Sequence, residues 1–391
     1  MSSLNLYFPN RLIFGAGALN DLNAQTLPGK KALIVTSSGK SFIKNGSLER
    51  LRKQLAISHI DSIHFSGIQA NPSRESVMEG AALARKENCD IICALGGGSV
   101  IDASKAIAIM VTNSGDIWDY IEGGTGKGLP IKNKPLPIIA INTTAGTGSE
   151  ADKYGVISNH SSNEKVAFGG DDALYPVISV VDPELMLSIP PHLTAYQGFD
   201  ALFHAIECYM GVNHNLMSDT FAMRNIELIG KYLARAVNNG EDIEAREGMA
   251  FASYIAGNAM MCSGTVAAHA LEHAMSAYHP TLPHGAGLIM ISREFYTALA
   301  SNPDNEERLI KIAQLLGNSS ANSSEDFVST LLKLEAECHV DSLSMSDYQI
   351  SPDEFPSFAD NAYATMAGAF DVTPVKFDKE LCISIYQKSY K

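Results

Sequence analysis

Apolar and polar positions in the first half of the chain follow two alternating periods. Short β-branched runs such as "KALIVTSSG" and "DIICALG" are typical of buried strands, and stretches with helical spacing follow them. Leu48, Leu51 and Leu55 share one face of such a helix, and Ser73 stands where an N-cap precedes "RESVMEGAALARK". This order of strands and helices predicts a parallel sheet covered by helices.

The pattern changes near residue 190, after which helical spacing dominates. Segments such as "PPHLTAYQGFDALFHAIECYM" and "VAAHALEHAMSAY" lack the alternation and the β-branched blocks of strands. Pro190 and Pro191 mark a natural break. We therefore predict an α/β N-terminal domain over residues 1–188 and an all-α C-terminal domain over residues 189–391.

Composition narrows the class of protein. The chain has 391 residues, 46% of them hydrophobic, and a net charge of −14, which favours a globular protein and disfavours nucleic acid or an anionic membrane as its partner. No basic segment followed by a long apolar run is present, so neither a signal peptide nor a membrane span is predicted. Six cysteines without a CxxC pair indicate reduced thiols, and we predict a cytoplasmic protein.

A glycine-rich turn is the first candidate binding feature. Gly96, Gly97 and Gly98 stand between a buried strand and a helix, and Ser99 and Asp102 have the spacing of a capping box. Without Cβ atoms, a pyrophosphate can approach the backbone N–H groups, and the helix dipole favours an anion there. The alternative is a tight turn with no ligand.

A second loop strengthens the interpretation of this turn as a cofactor site. In "NTTAGTGSEA", the hydroxyl groups of Thr143, Thr144, Thr147 and Ser149 follow another predicted strand. Ligands of open parallel sheets collect at the carboxyl ends of the strands. The two loops together therefore predict one binding edge.

Histidines and one aspartate are spaced as metal ligands. Asp200 and His204 are four residues apart, as are His269 and His273, so each pair shares a helical face, and His284 follows in "LPHG". One carboxylate with several imidazoles is a suitable site for Fe²⁺ or Zn²⁺. The alternative for each histidine alone is a hydrogen-bonded polar residue without a ligand.

The same letters allow a different enzyme. "HALEH" fits the H-x-x-E-H signature of zinc peptidases, in which His269 and His273 would both bind zinc and Glu272 would be the general base. A zinc metallohydrolase of this kind would leave the glycine turn, the threonine loop and the predicted sheet without a function.

Four motifs together resemble the iron-containing (group III) alcohol dehydrogenases. "GGGSVID", "TTAGTGSEA", "GFDALFHAIE" and "HALEHAMSAYHPTLPHG" are similar to that family's signatures and stand in its order, from about Tyr7 to the last helices. The resemblance implies the dehydroquinate synthase-like fold, with the active site in a cleft between the two domains. It also implies reversible hydride transfer between NADP(H) or NAD(H) and a small alcohol or aldehyde, in a homodimer or larger homo-oligomer. Another activity of the dehydroquinate synthase-like superfamily is the remaining alternative.

The resemblance also implies roles for individual residues. Fe²⁺, with Zn²⁺ as the alternative, would be bound by Asp200, His204, His269 and His284. His273 would orient the nicotinamide or relay a proton, Asp102 is taken with it as a candidate catalytic residue, and His279 is expected at the surface. The implied cofactor contacts are Asn71, Gly97, Gly98, Ser99, Asp102, Thr143, Thr144, Thr147 and Lys165.

One departure from the family pattern bears on the cofactor. Many members have Asp after the first strand, where it binds the ribose 2′-hydroxyl, but this chain has Ser37. The missing carboxylate removes repulsion against a 2′-phosphate. Ser38, Gly39, Lys40 and Ser41 then offer donors and positive charge to it. We therefore predict NADP(H) over NAD(H).

Overall fold

A parallel sheet organises the first half of the molecule. The computed structural model describes residues 4–391. Its strands are β1 (Arg11–Phe14), β2 (Lys31–Ser37), β3 (Asp61–Ile68), β4 (Ile91–Gly96), β5 (Ile138–Asn142), β6 (Tyr154–Asn159), β7 (Glu164–Gly169) and β8 (Ile178–Val181). All except β6 and β7 form one parallel sheet in the spatial order β1-β8-β5-β4-β2-β3, and β6 pairs with β7 as an antiparallel hairpin.

Helices cover both faces of this sheet, as the sequence predicted. The helices of this half are α1 (Ser41–Lys44), α2 (Ser47–Ile57), α3 (Arg74–Lys86) and α4 (Gly98–Thr112). Leu48, Leu51 and Leu55 of α2 are buried in the core on one side, while α3 and α4 contribute to the core on the other side. The predicted N-cap is confirmed, because the Ser73 hydroxyl accepts a hydrogen bond from the Ser76 N–H at 3.2 Å.

The second half is helical. Its helices are α5 (Pro191–Met210), α6 (Leu216–Asn238), α7 (Ile243–Ser263), α8 (Ala267–Tyr278), α9 (His284–Ala300), α10 (Glu306–Leu315), α11 (Ser324–Glu337), α12 (Phe355–Asp371) and α13 (Lys379–Ser389). The central helix α5 packs against α6, α7 and α9. Most of its buried apolar residues from Phe199 to Met210 belong to the largest core of the molecule. The predicted fold class, an α/β half followed by an all-α half, is confirmed.

Three features were not predicted from the sequence: the strand β8, its pairing with the N-terminal strand β1, and the β6–β7 hairpin. β1 pairs residue by residue with β8, from Arg11 opposite Ile178 to Phe14 opposite Val181. β1 and β8 have only four residues each, and their pairing joins segments that are far apart in the chain. No local pattern in the sequence therefore indicates this pairing. The hairpin matters for function because β7 packs against α8, which belongs to the helical half.

Three further observations concern the fold as a whole. Helix α12 is interrupted at Met366, whose φ of −140° and ψ of 40° are not helical. All six cysteines are free thiols, and five of them are buried, while Cys262 is half-buried. Within residues 4–391, no helix combines the length and the hydropathy needed to cross a bilayer.

Candidate functional site

Two cavities meet in the cleft between the halves. The larger has a volume of about 670 Å³ and the smaller about 450 Å³. They lie at the carboxyl ends of β4 and β5, the edge that the sequence predicted for ligands. Their shared wall consists of Asn71, Gly98, Ser99, Thr147 and His284. The turn, the threonine loop and one histidine therefore face a common space.

Three of the four predicted metal ligands surround a carboxylate oxygen of the fourth. The Oδ1 of Asp200 lies 3.4 Å from the Nδ1 of His204, 3.6 Å from the Nε2 of His269 and 3.5 Å from the Nε2 of His284. The ligand atoms of Asp200, His269 and His284 all lie within 4.8 Å of one another. The His204 ring stacks on that of His269, with 4.3 Å between their centroids. Helix α5 carries the first two residues, α8 carries the third, and His284 begins α9.

The chemistry of this cluster fits a cation. Asp200 Oδ1, His204 Nδ1 and His269 Nε2 are buried and have no hydrogen-bond partner among residues 4–391. Burial alone would raise the pKa of Asp200, but the neighbouring imidazoles lower it to about 2. Burial alone would lower the pKa of His269, but Glu207 and Asp200 raise it to about 10. The cluster therefore favours positive charge at its centre, where these unpartnered atoms converge.

A carboxylate that the sequence analysis did not single out holds His269. The Nδ1 of His269 lies 2.6 Å from Glu207 Oε1, and the other oxygen of Glu207 accepts the Val266 N–H at 2.8 Å. This contact fixes the ring with its Nε2 towards Asp200, as carboxylates commonly do for metal-binding histidines. The spacing of Asp200, His204 and Glu207 along α5 carried a signal for this role, since all three lie on one helical face.

A second carboxylate lies behind His284. Glu272 is fully buried, and one of its oxygens bonds the Nδ1 of His284. The same oxygen lies 3.3 Å from the Nζ of Lys165. The sequence analysis expected Lys165 to contact the cofactor. This residue lies on β7 and is 5% exposed, and its ammonium also donates a hydrogen bond to the Ser276 hydroxyl at 2.9 Å. Its ammonium thus faces the cluster of predicted ligands at His284, although its side chain still lines the larger cavity.

The other two histidines of "HALEHAMSAYHPTLPHG", His273 and His279, have different surroundings. His273 lines the larger cavity, its ring centroid is 5.3 Å from that of His284, and its Nδ1 is buried without a partner in the described chain. Burial lowers the pKa of His273 well below its usual value, so the ring is neutral near neutral pH. The expectation that His279 lies at the surface is wrong. Its ring is half-buried, its Nε2 lies 3.0 Å from Glu354, and Phe358 of α12 packs against it.

The geometry does not favour the zinc hydrolase. That hypothesis needs a free Glu272 as base and needs His269 and His273 to converge on one ion. The Glu272 carboxylate is instead engaged by Lys165 and His284. The centroids of His269 and His273 are 6.4 Å apart, with their planes at 77°.

The glycine turn packs closely against the threonine loop. A Cβ at Gly97 would lie 2.5 Å from the Thr144 side chain, and a Cβ at Gly98 would clash with Thr147. The predicted capping box is wrong, because the N-cap is Gly97 and Ser99 lies inside α4. The extended residue directly before the helix is Gly97, so the helix begins earlier than the Ser-x-x-Asp spacing indicated.

Asp102 instead supports the wall of the cavity. Its oxygens accept the Ser149 hydroxyl at 2.5 Å and the Val156 N–H at 2.9 Å. Burial raises the pKa of Asp102 to about 6. Its catalytic role stays a prediction. The buried Lys105 nearby, which no sequence motif marked, joins α4 to the same loop through Asp152 at 2.7 Å.

The remaining predicted cofactor residues divide into two groups. Ser37, Ser41, Thr143 and Thr144 line the smaller cavity, whereas Ser38, Gly39 and Lys40 are exposed and do not line it. Asn71, with a φ of 53°, donates its amide to the Pro280 carbonyl at 3.0 Å. It therefore ties the cleft wall to the segment that precedes His284.

Comparison with known proteins gives consistent matches. The model of the family "Iron-containing alcohol dehydrogenase" matches residues 9–183, and that of "Fe-containing alcohol dehydrogenase family, C-terminal" matches residues 194–390. Alcohol dehydrogenase 4 of Schizosaccharomyces pombe is 36% identical over 93% of this chain and 84% of its own length. The structure of an archaeal halo-thermophilic alcohol dehydrogenase from a Red Sea brine pool, bound to NZQ, is 33% identical. It covers 100% of this chain and 99% of its own, with a TM-score of 0.94. Sulfoacetaldehyde reductase from Bifidobacterium kashiwanohense, solved in complex with NAD⁺, is 27% identical with a TM-score of 0.85, over 99% of both chains.

Proposed function

The chain belongs to the iron-containing alcohol dehydrogenase family, and from this premise we propose that it interconverts a small alcohol and its aldehyde with a divalent metal and NADP(H). One observation carries the proposal: an aspartate and three imidazoles converge with unpartnered atoms beside the glycine turn. The proposed boundary between residues 1–188 and 189–391 is supported by the end of β8 at Val181 and the start of α5 at Pro191.

We propose Asp200, His204, His269 and His284 as the residues that hold the metal, with Fe²⁺ favoured by the family and Zn²⁺ compatible with the same donors. When bound, the metal supplies Lewis acidity to the substrate oxygen and the nicotinamide supplies or accepts the hydride. Glu207 fixes the direction of His269 through its hydrogen bond.

His273 is the proposed proton carrier. Its neutral ring lines the larger cavity, with its centroid 5.3 Å from that of the proposed ligand His284, and its Nδ1 has no hydrogen-bond partner within the described chain. It is therefore placed to accept the proton of the alcohol in oxidation and to return it in reduction.

The proposed preference for NADP(H) rests on the adenosine end of the smaller cavity. Ser37 lines that cavity where an aspartate would repel a 2′-phosphate, and Lys40 is exposed three residues further on. A kcat/KM for NADH that is tenfold above that for NADPH would contradict this preference.

The lining of the larger cavity supports an uncharged substrate. Met260, Met261, Cys262 and Met366 give part of this lining an apolar, adaptable surface. No arginine lines this cavity within residues 4–391, and its one lysine, Lys165, already neutralises Glu272. A carboxylate or sulfonate on the substrate would therefore lack a partner. We propose short aliphatic aldehydes and alcohols, in a homodimeric or larger cytoplasmic enzyme.

The test is oxidation of NADPH, followed at 340 nm, across a panel of aldehydes. The panel pairs butanal with succinic semialdehyde, and each assay is run before chelation, after chelation, and after Fe²⁺ or Zn²⁺ is restored. We expect activity that chelator removes and metal restores, with a higher kcat/KM for butanal. Activity that is insensitive to chelation would contradict the proposed metal dependence. A higher kcat/KM for succinic semialdehyde would contradict the proposed preference for uncharged substrates.

A further inference from the structure

Glu272 has a position that the proposed reaction does not yet explain. Its carboxylate is fully buried on α8, directly before His273 in the chain. One oxygen contacts both the Nδ1 of His284 and the ammonium of Lys165. The carboxylate therefore joins a residue of the hairpin, in the α/β half, to the first residue of α9.

Glu272, His273 and His284 also satisfy the spacing of a second metal site. Their ligand atoms lie within 4.8 Å of one another. However, the Lys165 Nζ lies 3.3 Å from Glu272 and 3.4 Å from the His284 Nδ1. This ammonium occupies the position of a second cation and neutralises the carboxylate, so a second metal would meet both charge repulsion and a filled space.

The two nitrogens of His284 face opposite neighbours. Its Nε2 lies 3.5 Å from the Asp200 oxygen at the centre of the ligand cluster, while its Nδ1 faces Glu272. A proton on Nδ1 that is donated to a carboxylate leaves the Nε2 lone pair for a metal and fixes the plane of the ring. Glu272 thus has for His284 the geometry that Glu207 has for His269.

We propose that Glu272 is a positioning residue for the metal ligand His284, and that Lys165 holds Glu272 in place from the other half of the molecule. The Ser276 hydroxyl, 2.9 Å from the ammonium, fixes Lys165 in turn. The inference rests on the proposed function in one respect, which is that His284 binds the metal. It adds that retention of the metal depends on a contact between β7 and α8.

The experiment measures metal retention rather than turnover. Zn²⁺-loaded wild type, Glu272→Gln and Lys165→Met are mixed with a chromogenic chelator, and the rate of Zn²⁺ release is followed. Glu335→Gln is the matched control, because Glu335 is a buried glutamate on α11 bonded to Ser292, away from the cleft. We expect release about 10–100-fold faster for Glu272→Gln, a smaller increase for Lys165→Met, and no change for the control.

A spectroscopic measurement separates positioning from general loosening of the fold. In the Co²⁺-substituted protein, Glu272→Gln should change the position or intensity of the visible d–d bands, whereas Glu335→Gln should leave them as in wild type. Unchanged release and spectrum in Glu272→Gln would overturn the proposal, as would equally fast release from the control. Two Zn²⁺ per wild-type chain and one per Glu272→Gln chain would also overturn it, because Glu272 would then be a ligand. A wild type that binds no metal would instead refute the proposed function.

Discussion

Glu150 should make the protein less stable as the pH rises. It lies in the loop that follows β5, its side chain is 0% exposed, and neither carboxylate oxygen has a hydrogen-bond partner in the described part of the chain. Burial raises its pKa from 4.5 to about 7, although the nearby Asn142 amide lowers it in part. The folded protein therefore keeps a proton on Glu150 in a pH range where the unfolded chain has lost it.

The size of the effect follows from linkage. Between pH 4.5 and about 7 the folded state binds more protons at this site, so the free energy of unfolding falls as pH increases. Each pKa unit corresponds to about 1.4 kcal/mol, which gives about 3 kcal/mol for the whole shift and about 2.5 kcal/mol between pH 5 and pH 8. Glu150→Gln has nearly the same shape and cannot ionise, so it should lack this loss.

Urea denaturation of both proteins at pH 5, 6, 7 and 8 measures the difference. We expect the variant to equal wild type within about 1 kcal/mol at pH 5 and to exceed it by about 2–3 kcal/mol at pH 8. Burial also raises the pKa of Asp102 and of Glu335, but both are retained in the variant, so the difference isolates Glu150. Parallel pH dependences for the two proteins would refute the reasoning.

Three further substitutions test the site. Ser37→Asp should lower kcat/KM for NADPH relative to NADH by at least about tenfold, because the carboxylate would repel the 2′-phosphate. An unchanged ratio would show that another contact determines the coenzyme preference. His273→Ala should lower kcat about 10²–10⁴-fold while metal content, measured by atomic absorption, stays as in wild type, and loss of the metal would instead make His273 a ligand. Lys105→Met leaves the buried Asp152 carboxylate without its charged partner, and it should lower the free energy of unfolding by about 3–5 kcal/mol. For a chain of 391 residues, this loss lowers the melting temperature in a thermal scan by about 4–6 °C. A melting temperature within one degree of wild type would contradict the importance of that ion pair.

Local patterns were enough to predict the elements that carry the site. The leucines of α2 and the cap of α3 follow from helical period and capping chemistry, and both are confirmed. The spacing of Asp200 with His204 and of His269 with His273 placed these side chains on helices, and α5 and α8 contain them. Such signals act within one or two turns of a helix, and a single sequence displays them directly.

Contacts between distant segments could not be predicted from such local signals. Glu207 contacts His269 and Glu272 contacts His284, and Lys165 reaches Glu272 from a strand over 100 residues away in the chain. The pairing of β1 with β8 is of the same kind. These contacts depend on how helices and sheet pack, and their only local signal is the helical face that Glu207 shares with Asp200 and His204.

The wall shared by the two cavities has a consequence for protein engineering. The segment around Ser37 borders only the smaller chamber, and the methionines around Met260 border only the larger one. Substitutions made in the two chambers have few neighbours in common, so their free-energy effects should add. Under the proposed function, in which the smaller cavity binds the coenzyme and the larger one the substrate, a substitution that changes one preference should leave the other unchanged.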